Sequence, residues 1–345
     1  MAFHIRPQDL WLPVLGAFVG GVVVAQVISD LDAPTPGLPL VTTTLGAWPE
    51  RPAGGVQAVG SGPLPPGLLS AATGMMAALE TWRDARFTRD VQLAVLNSDP
   101  LGRWGYYDAR SGLLRVIGDG GATLGPMTVV HELCHALQDQ HLDLQGRSEP
   151  PRGTDAALAW RALVEGEAML AGAEITGVPL DSHGDLPQRQ RLDDDAARAL
   201  FLYMDGANFV AALREAGGWD AVDRAWQSPP RTSLEILDPP AHLQGVTLTP
   251  AAHLGPGQRA GAFALWRLLS HTESGRSEGR ALVKGWRGDA RVGDEHGGRW
   301  ILALTAATVD RVLELAPAAM HAAGLPEPRA ESIGPERIVL AWGGR

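Results

Sequence analysis

A single cysteine, Cys134, occurs among the 345 residues, so no intrachain disulfide can form. That leaves the redox compartment open, because many exported bacterial-type proteins carry no disulfide. Basic charge is also in short supply: 29 Lys and Arg stand against 39 Asp and Glu, a formal net charge of -10. A general nucleic-acid binder needs a basic face, and this balance argues against one. No internal repeat recurs. The glycines between 118 and 125 lack the spacing of a Walker or dinucleotide loop, so that stretch reads as a turn. What remains, 45% hydrophobic and 20% charged residues, is an ordinary globular composition on a chain long enough for one large domain or two smaller ones.

Residues 1–32 read as a signal or membrane-anchor segment. From Leu10 to Ile28 the chain is apolar, broken only by Pro13, several glycines and Gln26, and it follows Arg6. Residues 33–66 hold Pro34, Pro36, Pro39, Pro49, Pro52, Pro63, Pro65 and Pro66, which makes them a tether rather than a packed element. No small-x-small cleavage site is evident, which favours retention over release. The body is then expected outside the cytoplasm, membrane-anchored or secreted.

The folded body is expected over 67–345. Leu68, Leu69, Met75, Met76, Leu79 and Trp82 recur at helical spacing. Val91–Leu96 reads as a strand, and Tyr106-Tyr107-Asp108 leads through Ser111-Gly112 into Leu113–Ile117 as a hairpin. Helices are expected over Pro126–Leu144, Asp155–Thr176, Asp193–Ala216, Trp219–Trp226, Gly261–Leu269, Ser277–Lys284 and Thr308–Ala323, with strands at Trp300–Leu304 and Ile338–Trp342. The class is α+β and mainly helical: a small N-terminal sheet, one long central helix, and a helical C-terminal part from about residue 193.

The central helix carries His131-Glu132-Leu133-Cys134-His135. Histidines four apart on a helix share a face, so both imidazoles can reach one ion. Glu132 is turned by about 100° from His131, where it can address a metal-bound water without ligating the metal. HExxH with a zinc ion implies that Glu132 acts as general base on that water. A third ligand is needed, and two candidates compete. His141 has the spacing of the pattern HExxHxxGxxH, but Gln138 stands where that pattern turns the helix with glycine. If the helix runs on, His141 lies about 15 Å from His131 along the axis. Glu165, in Leu163-Val164-Glu165-Gly166-Glu167-Ala168, is the preferred ligand, with Glu167 as fallback.

These residues resemble the gluzincin zinc peptidases, in which one helix supplies HExxH and a facing helix a glutamate. Glu165-Gly166-x-Ala168 is similar to the Glu-Gly-x-Ala segment of their aminopeptidase branch. The stretch HELCHALQDQHLDL resembles a group of bacterial and archaeal zinc peptidases with HEL-x-HALQDQH-x-DL. Further likeness lies in Ala162–Ala168, in Tyr203, Gly206 and Phe209-Val210, in Gly217-Gly218-Trp219, in Pro229-Pro230 and in Gly285-Trp286-x-Gly288-Asp289. Together these span about residues 90 to 310. The chain departs from the group at Thr232-Ser233-Leu234, where Ser-Thr-Glu is expected, and at Asp238-Pro239, where His-Pro is expected. The resemblance implies a zincin-like fold, a zinc cofactor on His131, His135 and Glu165, and a peptide or protein substrate. It also makes Tyr203 the candidate donor to the oxyanion, against the alternative of a tyrosine packed in the core.

Asp139, one turn after His135, is a candidate to orient a ligand histidine, or an ordinary capping aspartate. Cys134 reads as a small packing residue beside the site. His242 and His253 are weaker candidates, His271 and His296 read as surface histidines, and Trp160, Trp219 and Trp226 as core. A zinc hydrolase of non-peptide amides and a catalytically silent relative that binds a peptide or partner both remain open.

Overall fold

The structure, a computed structural model, describes residues 55–58, 67–96, 105–117, 125–144, 150, 153–180 and 193–343. The anchor expected over 1–32 and most of the 33–66 tether lie outside these residues. Among the described residues no helix is long and apolar enough to cross a membrane.

Chain contacts divide the protein into two compact units. The first draws on the described residues within Met1–Ser148, on Val164–Leu180 and on Arg198–Val210. Its sheet has the order β1-β2-β4-β3. Strands β1 (Val56–Ala58), β2 (Val91–Leu96) and β4 (Leu113–Ile117) run parallel, and β3 (Gly105–Asp108) closes the hairpin with β4 as an antiparallel edge. β1 corrects the reading of 33–66 as tether throughout, since Val56 pairs with Val91 inside the proline-rich stretch. Helix α1 (Leu68–Arg83) buries Ala72, Met76, Leu79 and Arg83, the i, i+4, i+7 and i+11 positions of one face. Helix α2 (Pro126–Leu142) starts with Pro126 in its first turn and stops at Asp143, whose positive φ of 48° ends the helix. The core joins Met76 and Leu79 of α1 to Leu93, Leu114 and Val116 of the sheet and to Val130, Leu133 and Leu137 of α2. Burying these side chains against each other seats the HExxH helix.

Helix α3 (Asp155–Thr176) begins where Thr154 Oγ1 accepts the Ala157 N–H at 3.2 Å, as a capping threonine does. Helix α4 (Asp194–Leu200) is capped likewise by Asp193, whose carboxylate accepts the Ala196 N–H. It passes through a π turn at Phe201–Asp205 into helix α5 (Gly206–Gln227), which bends at Gly217 and Gly218. Gly218 has φ 63° and ψ -161°, a conformation open to glycine, so the glycine pair breaks the two expected helices at the anticipated place.

The second unit takes in the described residues within Glu149–Leu163, Asp181–Ala197 and Ala211–Arg345. Trp160 and Trp226 stack edge-to-face in its core, 5.3 Å apart. Trp219, expected in the core, is instead half-buried under the Arg214 guanidinium. Short helices α6 (Ser233–Leu237) and α7 (Pro239–Gln244) precede α8 (Gly261–Leu269) and α9 (Glu273–Val283). The expectation of a helical C-terminal part is corrected by a four-stranded antiparallel sheet, ordered β5-β6-β8-β7: β5 (Trp286–Gly293), β6 (Gly298–Leu304), β7 (Arg329–Gly334) and β8 (Arg337–Trp342). Helix α10 (Ala306–Ala322) connects β6 to β7. The two central strands, β6 and β8, carry the apolar alternation that made them visible. The edges do not: β5 interleaves Arg287, Asp289 and Arg291 with glycines, and β7 is largely exposed. The α+β class holds.

Candidate metal centre

α2 and α3 bring His131, His135 and Glu165 together. Nε2 of His131 lies 3.0 Å from Nε2 of His135, and Glu165 Oε2 lies 3.3 Å from each of them. Among the described residues this is the one group of three His, Cys, Asp or Glu side chains that could hold a metal ion. His131 and Glu165 are buried and His135 is half-buried. Burial alone would raise the Glu165 carboxyl, yet the two histidines overcome it and hold the group well below the usual carboxylate range. Burial would likewise lower His135, but Glu165, Glu132 and Gln138 carry it up to about 9. Three polar groups thus converge on one point, and Glu165 and His135 stabilise each other's charge.

Glu132 is buried and stands outside this triangle. Its Oε2 accepts the backbone N–H of Tyr107 at 2.8 Å, so the edge strand β3 fixes the carboxylate. Gly105 permits this approach: a Cβ there would come 3.1 Å from Thr128 and 3.5 Å from Glu132. Tyr107 grips α2 a second time, its hydroxyl donating to Asp139 Oδ2 at 2.9 Å. Tyr203, in the π turn, packs its ring 5.8 Å from that of His131. π turns interrupt helices at functional positions more often than elsewhere, which is the signal the sequence pattern could not carry.

Neither alternative third residue joins the triangle. α2 continues unbroken through Gln138, and His141 Nε2 donates to the Arg86 carbonyl at 2.6 Å rather than joining the triangle. Glu167 is engaged by Arg83, with Nε 2.5 Å from Oε1 and both side chains 3% exposed, so it is an ion-pair partner and not the third member. Asp139 accepts from Tyr107 and pairs with Arg89 at 3.4 Å; the residue that bonds a histidine of the triangle is Gln138, 2.9 Å from His135 Nδ1. Cys134 is fully buried, and burial pushes its thiol up, as a packing residue requires. His242 pairs with Glu235 at 2.8 Å, while His253 and His296 are exposed and His271 is half-buried. Gln138 and Tyr107 are the residues that motif spacing alone did not mark. Gln138 stands at i+3 from His135, one helical turn away, which is the only trace of its role in the sequence.

No family model matches the chain, and no curated protein or solved structure matches it.

Proposed function

We propose that the protein is a zinc-dependent hydrolase of peptide bonds, with zinc held by His131, His135 and Glu165 and with Glu132 as general base. The observation that carries the reading is the triangle of ligand atoms, with edges of 3.0, 3.3 and 3.3 Å. Metal–ligand distances near 2.0–2.1 Å at tetrahedral angles require ligand atoms about 3.3 Å apart, so the triangle matches one face of a zinc tetrahedron. Two nitrogens and a carboxylate oxygen form a donor set of the catalytic type, which leaves a fourth position for water or substrate.

Bound zinc supplies Lewis acidity toward a water and a substrate carbonyl. The protein's own part lies in Glu132, which is oriented by the Tyr107 N–H through one carboxylate oxygen and keeps the other for the attacking water's proton. It then returns that proton to the departing nitrogen. Tyr203, beside His131, is the proposed hydrogen-bond donor to the developing oxyanion. β3 is an edge strand next to Glu132, which supports a peptide partner: an extended chain laid along that edge would pass the carboxylate. The HELCHALQDQHLDL resemblance points the same way, and the Leu10–Ile28 segment supports an extracytoplasmic, anchored or secreted enzyme.

Metal analysis of the purified chain beside its Glu165→Ala and His141→Ala variants tests the reading. About one zinc per chain is expected in the parent and in His141→Ala and none in Glu165→Ala. Zinc-dependent cleavage of a peptide library should then distinguish peptides from other amides, and absence of zinc in the parent would sink the assignment.

A further inference from the structure

We infer that Gln138 is the positioning residue for His135, holding that imidazole in the tautomer and rotation a metal ion requires; this rests on the zinc reading above. His135 turns Nε2 toward His131 and Glu165, so its Nδ1 must carry hydrogen and find an acceptor. Gln138, one turn further along α2, places Oε1 2.9 Å from that Nδ1. An amide oxygen only accepts, so His135 donates and the lone pair on Nε2 is left to the metal.

The orientation of the amide is set from its other end. Gln138 Nε2 donates to the Val164 carbonyl at 3.1 Å and to Glu167 Oε2 at 3.2 Å. Turned over, the amide would set its oxygen against a carbonyl and a carboxylate, and its NH2 against the His135 N–H. Glu167 cannot move to accommodate that, because Arg83 holds it in a buried pair 2.5 Å long. A continuous chain of polar contacts therefore runs from Arg83 at the last turn of α1 through Glu167 and Gln138 to His135, all within one compact unit. Val164 immediately precedes Glu165, so the same amide also ties the helix of the third ligand to the helix of the first two.

The full chain and its Gln138→Met variant, equal in length but without either hydrogen-bonding end, supply the test. Two readouts are taken: zinc affinity by chelator competition, and the His135 Nδ1–H proton resonance in the metal-free protein. That proton is present whether or not the ring carries a charge. The expected result is zinc binding weakened about 10–100-fold and a resonance, sharp in the parent, lost to exchange in the variant. Leu137→Ala, a cavity on the same helix, is expected to lower stability while leaving zinc affinity within about threefold and the resonance intact. The double variant Gln138→Glu with Glu167→Gln keeps an acceptor toward His135 and a single charge between the two positions, while giving up the bond to the Val164 carbonyl. It is expected to return to within about tenfold of the parent, and it serves if Gln138→Met does not fold. Unchanged affinity and an intact resonance in Gln138→Met, or no recovery in the folded double variant, would overturn the inference. If the parent takes up no zinc the zinc reading fails by itself, and the metal-free resonance still decides the role of Gln138.

Discussion

Gly166 and Gly206 meet backbone to backbone: a Cβ on Gly166 would lie 2.1 Å from the carbonyl carbon of Gly206 and 2.6 Å from the nitrogen of Ala207. Gly166 follows Glu165 directly, and Gly206 ends the turn that carries Tyr203. The crossing point of these helices therefore sets where the third ligand and the tyrosine stand. Both glycines belong to segments of the resemblance, and close approach is the physical reason for them.

Gly166→Ala is expected to force the two helices apart, since the atoms met are backbone and have no rotamer to yield. Overpacking of this kind costs about 1–3 kcal/mol, and the displaced Glu165 should weaken zinc binding as well. Gly172→Ala, on the same helix, provides the comparison: its Cβ would meet the flexible Met127 side chain at 3.1 Å and the Met127 carbonyl oxygen at 3.2 Å, contacts that a shift of a few tenths of an ångström relieves, unlike the 2.1 Å approach at Gly166. That variant is expected to change stability by less than about 1 kcal/mol. Denaturant unfolding and chelator competition on both variants check the contrast; equal behaviour would remove the crossing from the account.

Glu165 and Glu167, two residues apart, are expected to fail in opposite ways. Glu165→Ala should abolish zinc uptake yet leave the metal-free protein folded. Glu167→Ala leaves the Arg83 guanidinium buried without its carboxylate, a loss of about 3–5 kcal/mol for a broken buried pair. Its folded fraction should still take up about one zinc at saturating metal. Thermal unfolding measured beside metal content separates the two, and zinc lost only with Glu167 would reverse the assignment.

The facing of His131 and His135 was open to sequence reading because it depends on local periodicity, whereas Glu165 was reached only through the resemblance. A separation of four places two histidines on one helical face, and Gln138 in place of glycine keeps that helix running past His141. What lay beyond reach depends on pairing across long separations. Arg83 and Glu167 are 84 residues apart, and Tyr107 and Glu132 are 25; no spacing rule joins either pair. Gln138-Asp139-Gln140-His141 shows the same limit from the other side. The motif was visible, but its work was not. Gln138 serves His135, Asp139 takes the Tyr107 hydroxyl, Gln140 bonds the backbone of Thr88 and Arg89, and His141 caps the Arg86 carbonyl. The C-terminal sheet was half read for a related reason. Its buried strands alternate, while its edges β5 and β7 carry charges and glycines that read as loop.

Glu132→Gln tests the division of labour between ligand and base. The amide keeps an oxygen able to accept the Tyr107 N–H, so β3 and the metal triangle stay as they are. It cannot accept a proton. Zinc content is expected to match the parent, while peptide hydrolysis falls about 10²–10⁴-fold, the range for loss of a positioned general base. Zinc lost together with activity would make Glu132 part of the metal site rather than its neighbour.

The second unit should show a pH dependence of its own, centred on Asp155. Burial pushes its carboxyl up to about 7; the Ser233 bonds oppose the rise, the neighbouring Asp289 adds to it, and Arg259 lowers it. Both carboxylate oxygens accept the Ser233 N–H, at 3.2 Å each. An unfolded aspartate titrates near 3.9, so between about pH 4 and pH 7 the folded state holds a proton that the unfolded state has released. Stability from this group therefore falls as pH rises through that window and levels off above it. Three pH units set an upper bound of about 4 kcal/mol on the loss. Asp155→Asn retains an oxygen for Ser233 but cannot ionise. Its advantage over the parent in denaturant unfolding is expected to grow by about 2–3 kcal/mol between pH 5 and pH 8. An advantage that stays constant across that range would mean Asp155 ionises equally in both states, and the burial argument would fail.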